Sequence, residues 1–149
     1  MNIEKQRNVF IVSLMFFVTL MTSITVHADT KSLYDRLGGY DAIATVVDKL
    51  MQDLAEDAQV GRFLSHIPDG RATHVRQHMV DFICSVTGGP CVYVGKDMKS
   101  AHSGMGLTDS DWNITVSYLT DVLNDLSVPK QEQTELLTSL ASLKSSVVD

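Results

Sequence analysis

The sequence predicts an all-α protein built from four substantial helices and a few short ones. Apolar residues recur at the three- and four-residue spacing of helix faces. The breaks between these stretches carry helix start and stop signals: Gly38-Gly39, Gly88-Gly89-Pro90, Thr108-x-x-Asp111 and Pro129. No stretch alternates apolar and polar residues convincingly, as a half-buried strand would. At 149 residues, 44% of them hydrophobic, the chain has room for one globular domain.

The first element stands apart. Lys5 and Arg7 precede an uncharged run from Val9 to Val26, and Val26-His27-Ala28 offers a small-x-small cleavage signal before Asp29. Residues 1–28 therefore read as an export signal, and the mature domain as residues 29–149. The run is also about as long as a membrane span requires, so an uncleaved anchor is the alternative. Ser13, Thr19, Thr22, Ser23 and Thr25 dilute it and favour cleavage. Lys5 and Arg7 mark the end that stays inside, so both readings place the domain outside the cytoplasm, periplasmic or secreted. With the signal removed, no stable membrane contact is expected.

Ser32-Leu-Tyr-Asp35 resembles a capping box and starts a short lead-in helix that the glycines end. Ile43, Val46, Val47, Leu50 and Leu54 then define a long helix over about residues 41–55. Val75, Met79, Phe82, Ile83 and Val86 define a second, stopped by Gly88-Gly89-Pro90. Thr108-x-x-Asp111 caps a third, with Trp112, Val116, Leu119, Leu123 and Leu126 as its stripe. Pro129 suits the first turn of a fourth, with Leu136, Leu140, Leu143 and Val147 on one face.

Loss of Glu4, Lys5 and Arg7 with the signal takes the formal charge from −6 to −7. An acidic surface argues against nucleic acid and anionic membranes as partners. The two cysteines, Cys84 and Cys91, form no C-x-x-C and no C-x-x-C-H, which removes zinc-ribbon, thioredoxin-like and covalent c-type haem readings. In an oxidising compartment a disulfide across Gly88-Gly89-Pro90 is sterically feasible, and two separate thiols are the alternative.

Histidine is the remaining residue type able to carry strong chemistry. His66 and His27 read as surface and processed residues. His74 and His78 have the i, i+4 spacing of a helical zinc site but lack the glutamate that a zincin needs as general base. On a helical wheel His78 sits at the edge of the apolar stripe and His74 turns toward solvent. His102 shares a helical face with Met98 and Met105, beside Ala101, so its imidazole would project into apolar surroundings and need a partner there. Two imidazoles from different helices can bind one metal centre, haem iron among them. From spacing alone, a surface histidine on a short loop is the simpler reading.

The stretches SLYDRLGGYDAIATVVDKL (32–50), RFL (62–64), HMVDFICSVTGGP (78–90) and YVGKDMKSAHSGMGLTDSDW (93–112) resemble, in order, the landmarks of the group I truncated haemoglobins. The resemblance implies a truncated globin, a two-over-two helical sandwich around non-covalent haem b, with His102 as proximal iron ligand. It places His78 on the distal helix, where cyanobacterial members especially carry a histidine able to take the sixth iron position. It implies that Phe63, Leu64, Val75, Met79, Phe82, Tyr93, Met98, Trp112 and Val116 line the cofactor, with Met51 and Leu50 in the distal pocket.

Two departures bear on function. Met51 stands where the family usually carries a tyrosine that hydrogen-bonds the bound gas, and Met79 stands where it often carries a glutamine. A thioether donates no hydrogen bond. One such bond is worth on the order of 1 to 1.5 kcal/mol, so its loss weakens oxygen retention by roughly tenfold. The expected function is binding of dioxygen or other diatomic gases at haem iron, with bis-histidine, redox-active haem if His78 reaches the metal. The alternatives are an electron-transfer or sensor protein with a redox partner, a haem enzyme turning over nitric oxide or peroxide, and a non-haem adaptor using His74 and His78. An enzyme would need an external reductant, and no clear acid–base pair is legible near the iron ligands. The oligomeric state stays open.

Overall fold

The computed structural model describes residues 31–68 and 70–149, and within them all regular structure is helical. The export segment over residues 1–28 lies outside the described residues. The elements are α1 (Leu33–Arg36), α2 (Gly39–Glu56), α3 (Gly61–Ser65), α4 (Ala72–Val86), α5 (Met98–His102), α6 (Asp109–Asp125), α7 (Lys130–Ala141) and α8 (Lys144–Val147). No helix among the described residues is long and apolar enough to cross a membrane.

Helix α2 is the centre of the packing, because its apolar face meets α4 on one side and α6 on the other. Ile43, Val46, Val47, Leu50 and Leu54 are all buried and join Val80, Ile83 and Cys84 of α4, Leu119, Val122 and Leu123 of α6, and Leu136 of α7 in one core. Gly38, at φ 98°, lets the chain reverse from α1 into α2 in the left-handed region that glycine enters freely. Arg36 of α1 pairs with Glu132 at 2.8 Å and with Glu135, fastening α1 to α7. Arg76 of α4 pairs with Asp48 of α2 across the same sandwich.

The starts of the helices follow their caps. Ser32 accepts from the Asp35 backbone N–H, and Thr108 forms a reciprocal capping box with Asp111. The ends depart from the expected stripes. Val86 and Leu126 are 41% and 38% exposed, because each lies at a helix C-terminus where the chain turns away from the core. The expected fourth helix is two: α7 stops at Ala141, and Leu143, placed on its apolar face by periodicity, instead begins α8. At the α6–α7 turn, Ser127 takes φ 56° while Gln133 donates to the Val128 carbonyl at 2.8 Å and to Asn124 at 3.1 Å. Those bonds satisfy a buried amide and fix the angle between the two helices.

A cavity of about 290 Å³ lies between α2 and the α6–α7 pair, lined by Ile43, Val46, Leu123, Leu126 and Leu136 among others. None of its lining residues is ionisable, and neither His78 nor His102 reaches it.

Candidate functional site

His102 is the last residue of α5, a helix too short to form without its cap. Asp97 provides that cap: it accepts from the Ser100 backbone N–H at 2.9 Å and from the Ser100 hydroxyl at 2.7 Å. The same hydrogen bonds hold the Asp97 carboxyl below its ordinary range, that from the Ser100 N–H most strongly. After His102, Gly104 and Gly106 adopt φ 76° and 66°, and the chain swings through exposed Met105 toward α6. Met105 therefore lies outside the helix and does not share a face with His102, contrary to the spacing argument; the glycines break the helix before it. Helix α8 packs on α5, and Asp149 accepts from the Gly106 N–H at 2.9 Å and donates its own N–H to the Leu107 carbonyl at 3.0 Å.

His102 is half-buried, and its Nδ1 lies 2.8 Å from the Met98 carbonyl oxygen. A carbonyl only accepts, so Nδ1 carries a proton, and in the neutral ring Nε2 is the nitrogen that keeps its lone pair. This is how proteins orient a metal-ligating histidine: the second ring nitrogen is fixed to the backbone, and the first faces the metal.

His78 of α4 is in the opposite state. It is half-buried, and its Nδ1 is buried without a hydrogen-bond partner. Leaving such a group unpaired is costly, so an orphaned imidazole nitrogen marks a place where something beyond the protein's own polar groups is to be satisfied. Tyr93 stands edge-on to His78 with ring centroids 5.9 Å apart, and to Phe82 at 5.2 Å. His74, one turn earlier, is exposed. Among the described residues no group of three or more His, Cys, Asp or Glu could hold a metal ion, so a zinc-type site built on His74 and His78 lacks further ligands.

The remaining candidates share one property. Met51, Phe63, Leu64, Val75, Met79, Phe82, Tyr93, Met98, Trp112 and Val116 are large or branched, and none is fully buried. Met51, Phe63, Leu64, Met79 and Phe82 pack one side against the core. Leu50 is 4% exposed and belongs to the core itself. Apolar side chains of this size, half-covered by the chain on several helices, fit a flat apolar group better than a small ion.

Cys84 and Cys91 are joined in a disulfide with Cα atoms 5.8 Å apart. The sequence has no other cysteine, so no thiol remains to form a thioether with a cofactor.

Spacing arguments had not singled out the polar cluster behind the α5–α6 turn. Asp111, 1% exposed, accepts from Gln59 at 2.8 Å, from the Thr108 N–H and hydroxyl, and from Arg62. Those bonds, the Gln59 amide first, pull its carboxyl from 3.8 down to about 2. Arg62, whose bond to Asp111 ties α3 to the start of α6, also lies over the Phe63 ring at 4.4 Å. The Gln59 and Arg62 contacts, 52 and 49 residues away from Asp111, leave no mark in local spacing.

A helical sandwich presenting two histidines in these states among half-buried apolar residues fits a protein that holds haem. The chain belongs to the bacterial-like globin family, whose model matches residues 32–149. It is 31% identical over 116 residues to the group 1 truncated hemoglobin GlbN of Mycolicibacterium paratuberculosis, covering 78% of this chain and 83% of that one. It is 25% identical over 118 residues to the corresponding protein of a Nostoc species, covering 79% and 98%. Among solved structures, the 2/2 hemoglobin of a Synechococcus species matches at TM-score 0.70 and 28% identity, over 79% of this chain and 98% of that one. The truncated hemoglobin of Tetrahymena pyriformis matches at TM-score 0.73 and 24% identity over the same shares, which speaks for the fold alone. The fold is the two-over-two truncated globin, and the cofactor is non-covalent haem b.

Proposed function

We propose that this protein is a bis-histidyl haem globin in which His102 and His78 are the two iron ligands and diatomic gases compete with His78 for the metal. One observation carries the reading: His102 has Nδ1 fixed by Met98 and Nε2 free, and His78, half-buried against Tyr93 on a second helix, offers the other imidazole. Bound haem supplies an iron centre that exchanges an electron and takes small gaseous ligands. The chain supplies the rest. His102 anchors the iron in an orientation set by a five-residue helix capped by Asp97. Met51 and Met79 offer no hydrogen-bond donor, so His78 is the polar group near a bound gas. Dioxygen would be held weakly by such a site, which favours electron transfer or redox-gated sensing with a redox partner over oxygen carriage.

The relatives' names support gas and haem chemistry. The Synechococcus hemoglobin is described in a cyanomet state with covalently attached heme. In this chain both cysteines are spent in the disulfide. That disulfide, together with Lys5 and Arg7 ahead of the uncharged run, supports work outside the cytoplasm, where such bonds persist.

Absorption spectra test the coordination. The purified ferric protein is expected to be low-spin at neutral pH and to turn high-spin in His78→Ala, while His102→Ala loses the Soret band. A high-spin wild type that His78→Ala leaves unchanged would remove His78 from the iron.

A further inference from the structure

We propose that Tyr93 is the positioning residue of His78: its ring, set edge-on against the imidazole, fixes the rotation in which His78 meets the iron. The inference rests on the coordination proposed above.

A ligating histidine is ordinarily oriented by a hydrogen bond at its second ring nitrogen, as His102 is by the Met98 carbonyl. His78 has no such restraint, because its Nδ1 is buried and unpaired. What it has is Tyr93, with ring centroids 5.9 Å apart and planes at 81°. Tyr93 is itself braced against Phe82, one turn along the same helix, at 5.2 Å and 74°. Both are the edge-to-face arrangements that aromatic rings prefer.

Tyr93 is held as a fixed object would need to be. Its hydroxyl donates to the Lys96 carbonyl at 2.6 Å. Its ring lies over Gly95 so closely that a Cβ there would stand 2.3 Å from the Tyr93 oxygen and 2.4 Å from Cζ. Gly95 is not among the residues with positive φ, so the glycine is required for space and not for backbone freedom. Two residues before Tyr93, Cys91 is bonded to Cys84 of α4, the helix that also carries His78. Val92 and Val94 on either side are 76% exposed, so the extended segment alternates and turns Tyr93 inward. Helix α4, the disulfide and the aromatic pair thus form a closed bracket around His78.

The ring is the part that matters for coordination, and the hydroxyl serves only to hold the ring. With haem-loaded protein, Tyr93→Phe should keep the wild-type low-spin ferric spectrum, whereas Tyr93→Leu should shift the low-spin to high-spin ratio roughly two- to tenfold toward high-spin, the range that loss of one aromatic pair supports. Gly95→Ala keeps every side chain and displaces the Tyr93 ring, so it should shift the ratio in the same direction even if Tyr93→Leu fails to fold. Far-UV circular dichroism of each variant separates a local change from loss of the fold. If the wild type is low-spin through His78 and both Tyr93→Leu and Gly95→Ala keep its spin ratio, the positioning role is overturned while the coordination stands. A wild type that is high-spin and indifferent to His78→Ala overturns both.

Discussion

Asp111 closes the turn that follows His102, and its environment makes a pH prediction. Its folded carboxyl sits at about 2 against an ordinary 3.8, because Gln59, Thr108 and Arg62 all favour the ionised form. A depressed carboxyl contributes stability that is fully present above 3.8 and lost as pH falls through about 2. Asp111→Asn should therefore be less stable than wild type near neutrality, with the gap narrowing as the solution is acidified below pH 3.8. Denaturant melts across that range check it, and a gap that does not change with pH would show that Asp111 acts by shape alone. The histidines teach a related lesson. Nothing in the residue type distinguishes His74 from His78; one turn along α4, about 40° further round the helix, leaves one exposed and buries a nitrogen of the other.

At the scale of elements, α2 is the piece on which the others depend, since α4 and α6 both pack on it. Leu119 of α6 is 5% exposed within that core. Leu119→Ala should cost about 2–5 kcal/mol of unfolding free energy, the usual range for a buried leucine, in chemical denaturation of the haem-loaded protein. A cost well under 1 kcal/mol would mean that α6 is held by its caps more than by its core face. Helix α5 is the reverse case. It buries no residue, so it is held by the Asp97 cap and by α8 and Asp149 from the end of the chain. Asp97→Ala should loosen His102, seen as faster loss of haem to an apo-globin acceptor with little change in overall helix content.

For the molecule as a whole, the disulfide and the N-terminal segment make one prediction together. Expression of the full chain in a bacterium with an export pathway should yield a periplasmic product starting at Asp29, with Cys84 and Cys91 oxidised; intact mass resolves both. A cytoplasmic product retaining Met1 would sink the export proposal. The helices, their order and most of their start points could be read from the sequence, because capping and 3.6-residue periodicity are local and each is written within a few residues. So was the candidacy of His102, though only the match of successive motifs along the chain raised it above a surface histidine. The C-terminal helix break at Ser142, the exposure of Val86, Met105 and Leu126, and the contacts of Gln59 and Arg62 with Asp111 were not legible. Those depend on which neighbour covers a side chain, a distance across the fold that spacing along the chain does not encode. The same holds for the bracket of Tyr93, His78 and the disulfide. The sequence by itself determined which histidines are candidates to ligate iron, and only the tertiary structure decided how each imidazole is held, because a ring's orientation is set by what lies next to it in space.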